Sequence, residues 1–501
     1  MSTARLALCA ALLGGAIVAF ALAYPSEPEA PPGAPNIVVI MADDQARNTF
    51  TPEAMPNTQR LFDEGGTRFP NALAVPPLCC PARAGLLTGQ YPHNHGVTQN
   101  FYEWLRDPAN VLSTWLDEGG YEVGLAGKFL NEYTAEEPAP GFDYWWELRG
   151  NPGYYDYEVL AGDELEQRGS EPGDYSTLGV TSHAVDFVHQ AAEGDDPFFL
   201  WASYYAPHAF NRREEPVCAK RTAQVLPSDW ARFDDAPVPR PPAFDERDIS
   251  DKAPPSRDFK RIAPAEARQI TEDVRCSMAA MYRVDAGIGE IEAALREEGV
   301  ARNTAIFYLS DNGYFFGEHR RHDAKEKAAP YEGAIVIPMA ARIPPRVLGG
   351  KAAPEVSEPV GTIDLAPTIV ELAGAQPCFG DDCRTMDGRS LLGLIRGDDA
   401  NWPASRPVLL ELGDRCGNFA SLRNERWMYT EFYDGDPPDC VLAGREMYDL
   451  RSDPHQLESR LGPATRFAPG VQERESELAA RLAELRECSG VEGRDETDRP
   501  C

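Results

Sequence analysis

The sequence predicts an α/β fold, a mixed sheet flanked by helices, followed by a smaller C-terminal α+β domain. Two observations carry this expectation. Four apolar runs each close on a polar, chemically capable residue, as happens when parallel strands deliver side chains to the carboxyl edge of a sheet. Helical candidates stand between those runs, whereas after Gly374 the pattern changes to short strand-like runs and one last helix. With 501 residues, of which 43% are hydrophobic, the chain has material for a large core plus a smaller unit.

The strand candidates, in order, are 36–41 running into Asp43 and Asp44, 121–125 leading to Lys128, 198–202 leading through Pro207 to His208, and 304–309 running into Asp311-Asn312-Gly313. Residues 264–298 and 365–373 read as helices from their starts and apolar period. Residues 226–262, rich in Pro and Asp with little periodicity, read as a surface excursion. Residues 408–410 and 427–429 read as strands and 471–487 as a helix. The expected division is a large α/β domain over 36–375, an α+β unit over 376–488 and an acidic tail over 489–501, with no internal repeat.

Residues 1–23 read as a signal peptide, since Arg5 precedes an apolar run and Ala21-Leu22-Ala23 forms an A-x-A cleavage site. An uncleaved anchor is the alternative, because the run approaches the length that spans a bilayer. Residues 24–35 read as a solvated linker. The expectation is an exported protein with no stable membrane partner. No Asn-x-Ser/Thr acceptor occurs, which favours a bacterial source over a glycosylated lysosomal one. Of 11 cysteines, Cys9 falls in the leader, and Cys79 and Cys80 form a motif of their own. The even remainder in an exported chain favours disulfides, and sequence neighbours suggest 218–276, 378–383, 416–440 and 488–501. The net charge of −32, with no long basic stretch to offset it, argues against nucleic acid as a partner.

Cys79-Cys80-Pro81-Ala82-Arg83 is the most informative segment. Proline suits a first helical position and an apolar helical run follows, which puts Cys79 at a helix N-terminus. Free N–H groups and the positive end of the dipole favour an anion there, and Arg83 adds a permanent charge with a planar donor fork. A buried or disulfide-bonded pair is the plain alternative for two cysteines. The spacing points elsewhere: Cys-x-Pro-x-Arg before Leu87-Thr88-Gly89 resembles the signature of the type I sulfatases, in which the first cysteine is oxidised to formylglycine. The resemblance implies that Cys79 is the modified residue, that a formylglycine-generating enzyme is a maturation partner, and that Cys80 is unmodified.

Further motifs extend the resemblance from Pro35 to about Leu461: the run 127–133, Ala206-Pro207-His208, Lys327 before Tyr331-Glu332-Gly333, and Arg445-Glu446-Met447-Tyr448-Asp449-Leu450 with Asp453-Pro454. It implies an alkaline-phosphatase-like fold, catalytic roles for Cys79, Arg83, Lys128, His208 and Lys327, and substrate contacts from Lys128, Lys327, His319 and Asn131. Many sulfatases carry a histidine two residues after the first lysine, where this chain has Leu130. Lys128-Phe129-Leu130-Asn131-Glu132-Tyr133, the Cys-Cys pair and Tyr91-Pro92-His93-Asn94-His95 are similar to the N-acetylglucosamine-6-sulfatase branch. His208 or Lys327 is then left as proton donor. Arg320, Arg321, Lys325 and Lys327 read as a local positive cluster, or as a solvated loop. His319 and His322 on the same loop line the pocket or the surface. His183, His189 and His455 have no motif around them and read as structural.

Asp43, Asp44, Asp311 and Asn312 offer only hard oxygen, which suits Ca²⁺, or Mg²⁺, and suits zinc poorly. With residue 79 they form the expected metal set. A hydrated aldehyde carries two hydroxyls on one carbon, so one attacks sulfur and the other, once deprotonated, collapses to the aldehyde and expels sulfate. The expected substrate is a sulfated sugar, 6-O-sulfated N-acetylglucosamine or a glycosaminoglycan fragment. A long polyanion would approach a chain of this charge slowly, which favours a short oligosaccharide. Two other readings stand beside this one: a phosphodiesterase or phosphonate hydrolase of the same superfamily, since a cradle for a tetrahedral oxyanion is generic, and a catalytically silent exported glycan-binding relative.

Overall fold

The computed structural model describes residues 29–210, 218, 222–254, 256–322, 327–398, 400, 402–413, 418–435, 439–495 and 497–501. The signal-peptide expectation lies outside them. Nine strands form the main sheet, in the order Thr67–Arg68, Met339–Arg342, Thr304–Ser310, Asn36–Ala42, Phe198–Ser203, Glu122–Gly127, Tyr144–Leu148, Glu158–Ala161, Glu164–Gln167. The five from Thr304–Ser310 to Tyr144–Leu148 are parallel to their neighbours, and the outer ones pair antiparallel. The four strands expected from the sequence are thus consecutive in the sheet, and their carboxyl ends share one edge.

Both faces of this sheet are covered, which is why its central strands are continuous apolar runs. Alternate residues of Asn36–Ala42 serve opposite cores: Ile37, Val39 and Met41 meet the helices Cys79–Thr88, Leu112–Asp117 and Leu365–Ala373, while Val38 and Ile40 meet Pro56–Asp63, Ser176–Ala191 and Pro264–Glu297. Among the described residues no helix is long and apolar enough to cross a membrane.

A second, antiparallel sheet follows in sequence order, Val408–Leu412, Phe419–Arg423, Trp427–Asp434 and Val441–Asp449. The helix Val471–Leu485 buries Leu478, Leu482 and Leu485 in the same core as this sheet. Beyond the expected division at 375, Met386, Leu391, Leu392, Leu394 and Ile395 pack into a core of the large sheet. Residues 489–501 are not a free tail: Cys488 and Cys501 are bonded, and Val491 is buried. Bonds 218–276 and 378–383 are also present. Cys440 is disulfide-bonded too, and its expected partner Cys416 lies outside the described residues. The excursion 226–262 is irregular yet only partly superficial, because it carries Glu246 and Lys252 into the interior, where they pair with each other.

Candidate active site

The first residue of the helix Cys79–Thr88 is Cys79 itself, so Pro81 stands third rather than first in the first turn, still ahead of the point where an intrahelical N–H is needed. Every residue of this helix is buried, and Gly89 closes it in the left-handed conformation. The two cysteines face different surroundings. Cys79 Sγ points at Asp43 Oδ1 (3.4 Å) and Asp44 Oδ1 (3.8 Å), whereas Cys80 Sγ lies 3.9 Å from the Asn131 carbonyl and its N–H donates to Asn100 Oδ1 (3.1 Å). Both thiols are free.

Each strand end brings its residue to this point. Lys327 Nζ stands 3.0 Å from Cys79 Sγ and 2.5 Å from Asp44 Oδ1, and Lys128 Nζ donates to Asp43 Oδ2. Gly127 makes the approach of Lys128 possible: its φ is +117°, and a Cβ there would lie 1.9 Å from the Ser203 carbonyl oxygen. Arg83 is fully buried, donating through Nε to Asp311 Oδ2 (2.9 Å) and through Nη1 to Ser203 Oγ (2.7 Å) and the Lys128 carbonyl (2.9 Å). His208 contacts the Ala209 carbonyl through Nδ1 (2.8 Å), which turns Nε2 toward Asp44 Oδ2 at 3.6 Å.

The donor atoms of Asp43, Asp44, Cys79 and His208 all lie within 4.8 Å of one another. Asp311 stands behind them: its Oδ1 accepts from the N–H groups of Asp44 (3.1 Å) and Asn312 (2.8 Å) while Oδ2 holds Arg83. Asn312 donates to Asp44 Oδ1 (2.7 Å), and its own Oδ1 is buried with no partner. Three carboxylates and an orphaned amide oxygen are a hard-oxygen set that fits Ca²⁺ or Mg²⁺. Arg83, Lys128 and Lys327 balance the three carboxylates, so an added divalent cation leaves the site positive, as an anionic ester requires.

Burial disfavours every charge here, and the partners decide the outcome. Desolvation would raise the Asp43 carboxyl, yet Lys128, His208, Arg83 and Lys327 hold it far below the usual carboxylate range. Burial and the Asp43 charge push Asp311 up despite Arg83. Burial and Asp43 also push the Cys79 thiol well up. Lys327, although buried, is held well above the ordinary lysine value by Asp44 and then Cys79, whereas burial keeps His208 below the ordinary histidine value.

The remaining expected residues fall differently. Asn131 is buried, its Oδ1 without a partner. His319 is only 3% exposed and contacts Glu246 Oε2 through Nδ1 (2.6 Å), with its ring against Tyr331, so its partners lie inside the fold and not around residue 79. Of the expected positive cluster, Arg320 donates to the carbonyls of Glu246, Arg247 and Phe259, Arg321 is buried against Tyr331, Lys327 alone of the described members meets residue 79, and Lys325 lies outside the described residues. His183 and His189 meet Tyr144 and Glu298, as structural residues do. Two contributors escaped the sequence reading. Ser203 ends an apolar strand on a polar residue, the same signal that marked its neighbours, and Tyr205 stacks on His208 with Lys128 Nζ 5.8 Å from its ring centroid.

A model of the sulfatase family matches residues 35–375. An N-acetylglucosamine-6-sulfatase of Capra hircus is 29% identical over 91% of this chain and 84% of its own length. The extracellular sulfatase SULF-1 homolog of Drosophila melanogaster is 30% identical over 74% of this chain, which spans about a third (32%) of that relative. Among solved structures, that of BT4656 in complex with its substrate D-glucosamine-2-N,6-O-disulfate superposes with a TM-score of 0.69 at 23% identity, over 91% of this chain and 98% of that one.

Proposed function

This chain belongs to the sulfatase family, and from that premise we propose that it is an exported sulfuric ester hydrolase acting on a 6-O-sulfated glucosamine, free or at the end of a short glycosaminoglycan fragment. One observation carries the reading: a single buried point, Sγ of residue 79, is met by Asp43, Asp44 and Lys327 at the start of a helix whose next turn supplies Arg83. Cys79 is proposed to mature to formylglycine, and its Sγ occupies the place of the attacking hydroxyl oxygen of the hydrate. The substrate class rests on the residues 128–133 and on the likeness to the Capra hircus N-acetylglucosamine-6-sulfatase along most of both chains. Export rests on the leader-like residues 1–23 and on the disulfides.

Asp43, Asp44, Asp311, Asn312 and residue 79 would hold a divalent cation, which when bound would supply Lewis acidity and charge neutralisation. The chain's own residues do the rest. Arg83 locks the helix start to the sheet edge, so the oxygen on residue 79 is oriented before substrate arrives. Lys128 and Lys327 bind the sulfate oxygens, and their contribution to rate is the part that strengthens as charge builds in the transition state. The attacking hydroxyl of residue 79 gives its proton to the facing carboxylate of Asp43 or Asp44 as its oxygen bonds to sulfur, the bond from sulfur to the sugar oxygen breaks, and the departing alcohol takes a proton from Lys327 or His208. Lys327 enters this step protonated, whereas burial disfavours the cation on His208. The donor that lost its proton, Lys327 or His208, takes one from the second hydroxyl, which re-forms the aldehyde, breaks the carbon–oxygen bond and releases sulfate.

Release of inorganic sulfate from 6-sulfated N-acetylglucosamine by the purified protein tests the reading. No release from any sulfate ester, with turnover of phosphate or phosphonate esters, would replace it with the alternative hydrolase.

A further inference from the structure

The C-terminal signature around Glu446 and Asp453-Pro454 has no part in the chemistry above, yet its side chains reach the segment that carries Lys327. Gln456, fully buried, brackets Tyr331: its Nε2 donates to the Pro330 carbonyl (3.3 Å) and its Oε1 accepts from the Glu332 N–H (2.7 Å). One side-chain amide thus fills both backbone positions that a neighbouring strand would fill. Tyr331 itself donates from its hydroxyl to Glu446 Oε1 (3.1 Å), an oxygen that also accepts from the Ala253 N–H (2.6 Å). Gln456 is fixed in turn, because Lys252 Nζ donates to its carbonyl (2.8 Å). On the other side of Lys327, the Ala328 N–H donates to the Pro77 carbonyl (3.1 Å), two residues before Cys79.

We propose that Gln456, with Glu446, is a positioning residue: the last strand of the second sheet and the segment after it hold residues 330–332 so that Lys327 stands against residue 79 and Asp44. The smaller domain is in this sense part of the catalytic apparatus. The physical need is clear, since Lys327 has four rotatable bonds and a displacement of its backbone by about 1 Å is enough to cost roughly 100-fold in rate. The proposal rests on the reading of Lys327 as a group that acts on the sulfate.

The test uses the full chain with Gln456→Leu, Lys327→Ala and the double variant, and compares sulfate release with amide hydrogen exchange over residues 328–335. Expected for Gln456→Leu are a kcat lowered roughly 10- to 100-fold with KM changed less than about threefold, faster exchange over 328–335 with the helix 79–88 still protected, and little further loss when it is added to Lys327→Ala. Gln456→Glu keeps the acceptor for the Glu332 N–H and should restore part of the protection. Should Gln456→Leu fold poorly, Tyr331→Phe keeps the ring, removes the hydroxyl and with it the bond to Glu446, and should show the same pattern more weakly. Equal losses in both backgrounds, or unchanged exchange over 328–335, would overturn the proposal. Absence of sulfate release by the parent protein would defeat the functional reading instead, and the exchange measurement would still decide whether Gln456 holds the segment.

Discussion

Lys327 Nζ and Cys79 Sγ are 3.0 Å apart although 248 residues separate them, and Asp44 Oδ1 completes the contact at 2.5 Å from the same ammonium. The ammonium is thereby tied to the proposed nucleophile and to the proposed metal set at once. Lys327→Ala should lower kcat by roughly 100- to 1,000-fold, the scale of losing one preorganised oxyanion donor. Lys327→Arg should recover little, because a planar fork does not fit a site shaped for a point charge. Steady-state kinetics on variants with unchanged circular dichroism checks both, and near-normal kcat for Lys327→Ala would remove this residue from the mechanism.

The neighbouring cysteines should part company on substitution. Cys79→Ala is expected to abolish turnover with the fold intact, while Cys80→Ala, whose thiol meets only the Asn131 carbonyl, costs a few-fold at most. Mass analysis of the tryptic peptide containing residue 79 should show an aldehyde at that position in active protein. Equal losses from the two substitutions would refute the assignment.

Chelation should remove activity, and Ca²⁺ or Mg²⁺ should restore it. A readout independent of turnover is available: a cation at 100 times its Kd stabilises by about 2.7 kcal/mol, so thermal unfolding should shift upward on addition. Asn312→Leu removes the orphaned oxygen and should shrink that shift. Stoichiometric zinc in the purified protein, with neither Ca²⁺ nor Mg²⁺, would contradict the ligand set.

His93, in the short helix Pro92–His95, ties that helix to the second sheet and the C-terminal segment, with Nδ1 at 2.6 Å from Glu411 Oε1 and Nε2 at 2.8 Å from the Cys488 carbonyl. Burial disfavours its cation, but the Glu411 carboxylate outweighs burial and the pKa rises from 6.5 to about 9. A raised value in the folded state stabilises fully below the unfolded value, and that contribution is lost as pH climbs from about 6.5 through about 9. The loss is on the order of 3 kcal/mol at most. Urea unfolding at pH 6 and pH 9.5 should show the difference in the parent protein and not in His93→Gln, and identical pH profiles would rule the coupling out.

Substrate choice is the last expectation. In a panel of sulfated monosaccharides, glycan oligomers and aryl sulfates, 6-sulfated N-acetylglucosamine and short oligomers ending in it should give the highest kcat/KM. Efficient release from aryl sulfate or 2-O-sulfated uronic acid, with none from the 6-sulfated sugar, would leave the sulfatase reading standing and discard the substrate.

Much of the site was legible because its signals are local. An apolar run that stops at Asp43, Lys128, His208 or Asp311 states in a few residues that a strand ends there, and parallel strands have one carboxyl edge to share. Of the second sheet, the strands at 408–412 and 427–434 and the helix were legible from local pattern, while those at 419–423 and 441–449 were not. His319 and the arginines at 320 and 321 misled, because a charged, polar loop has the same composition whether it faces solvent or folds inward onto Glu246 and Tyr331.

By itself the sequence determined the α/β sheet with its smaller companion, the helix that starts at the Cys-x-Pro-x-Arg segment, and the types of residue at the edge, since each follows from spacing along the chain. Only the tertiary structure decided that Asp311 accepts from both Arg83 and the Asp44 N–H, that Ser203 receives Arg83, that residues 386–395 belong to the larger core and that Gln456 clasps the Lys327 segment. These depend on distances between residues tens to hundreds of positions apart, set by strand order and packing, and no local periodicity encodes them.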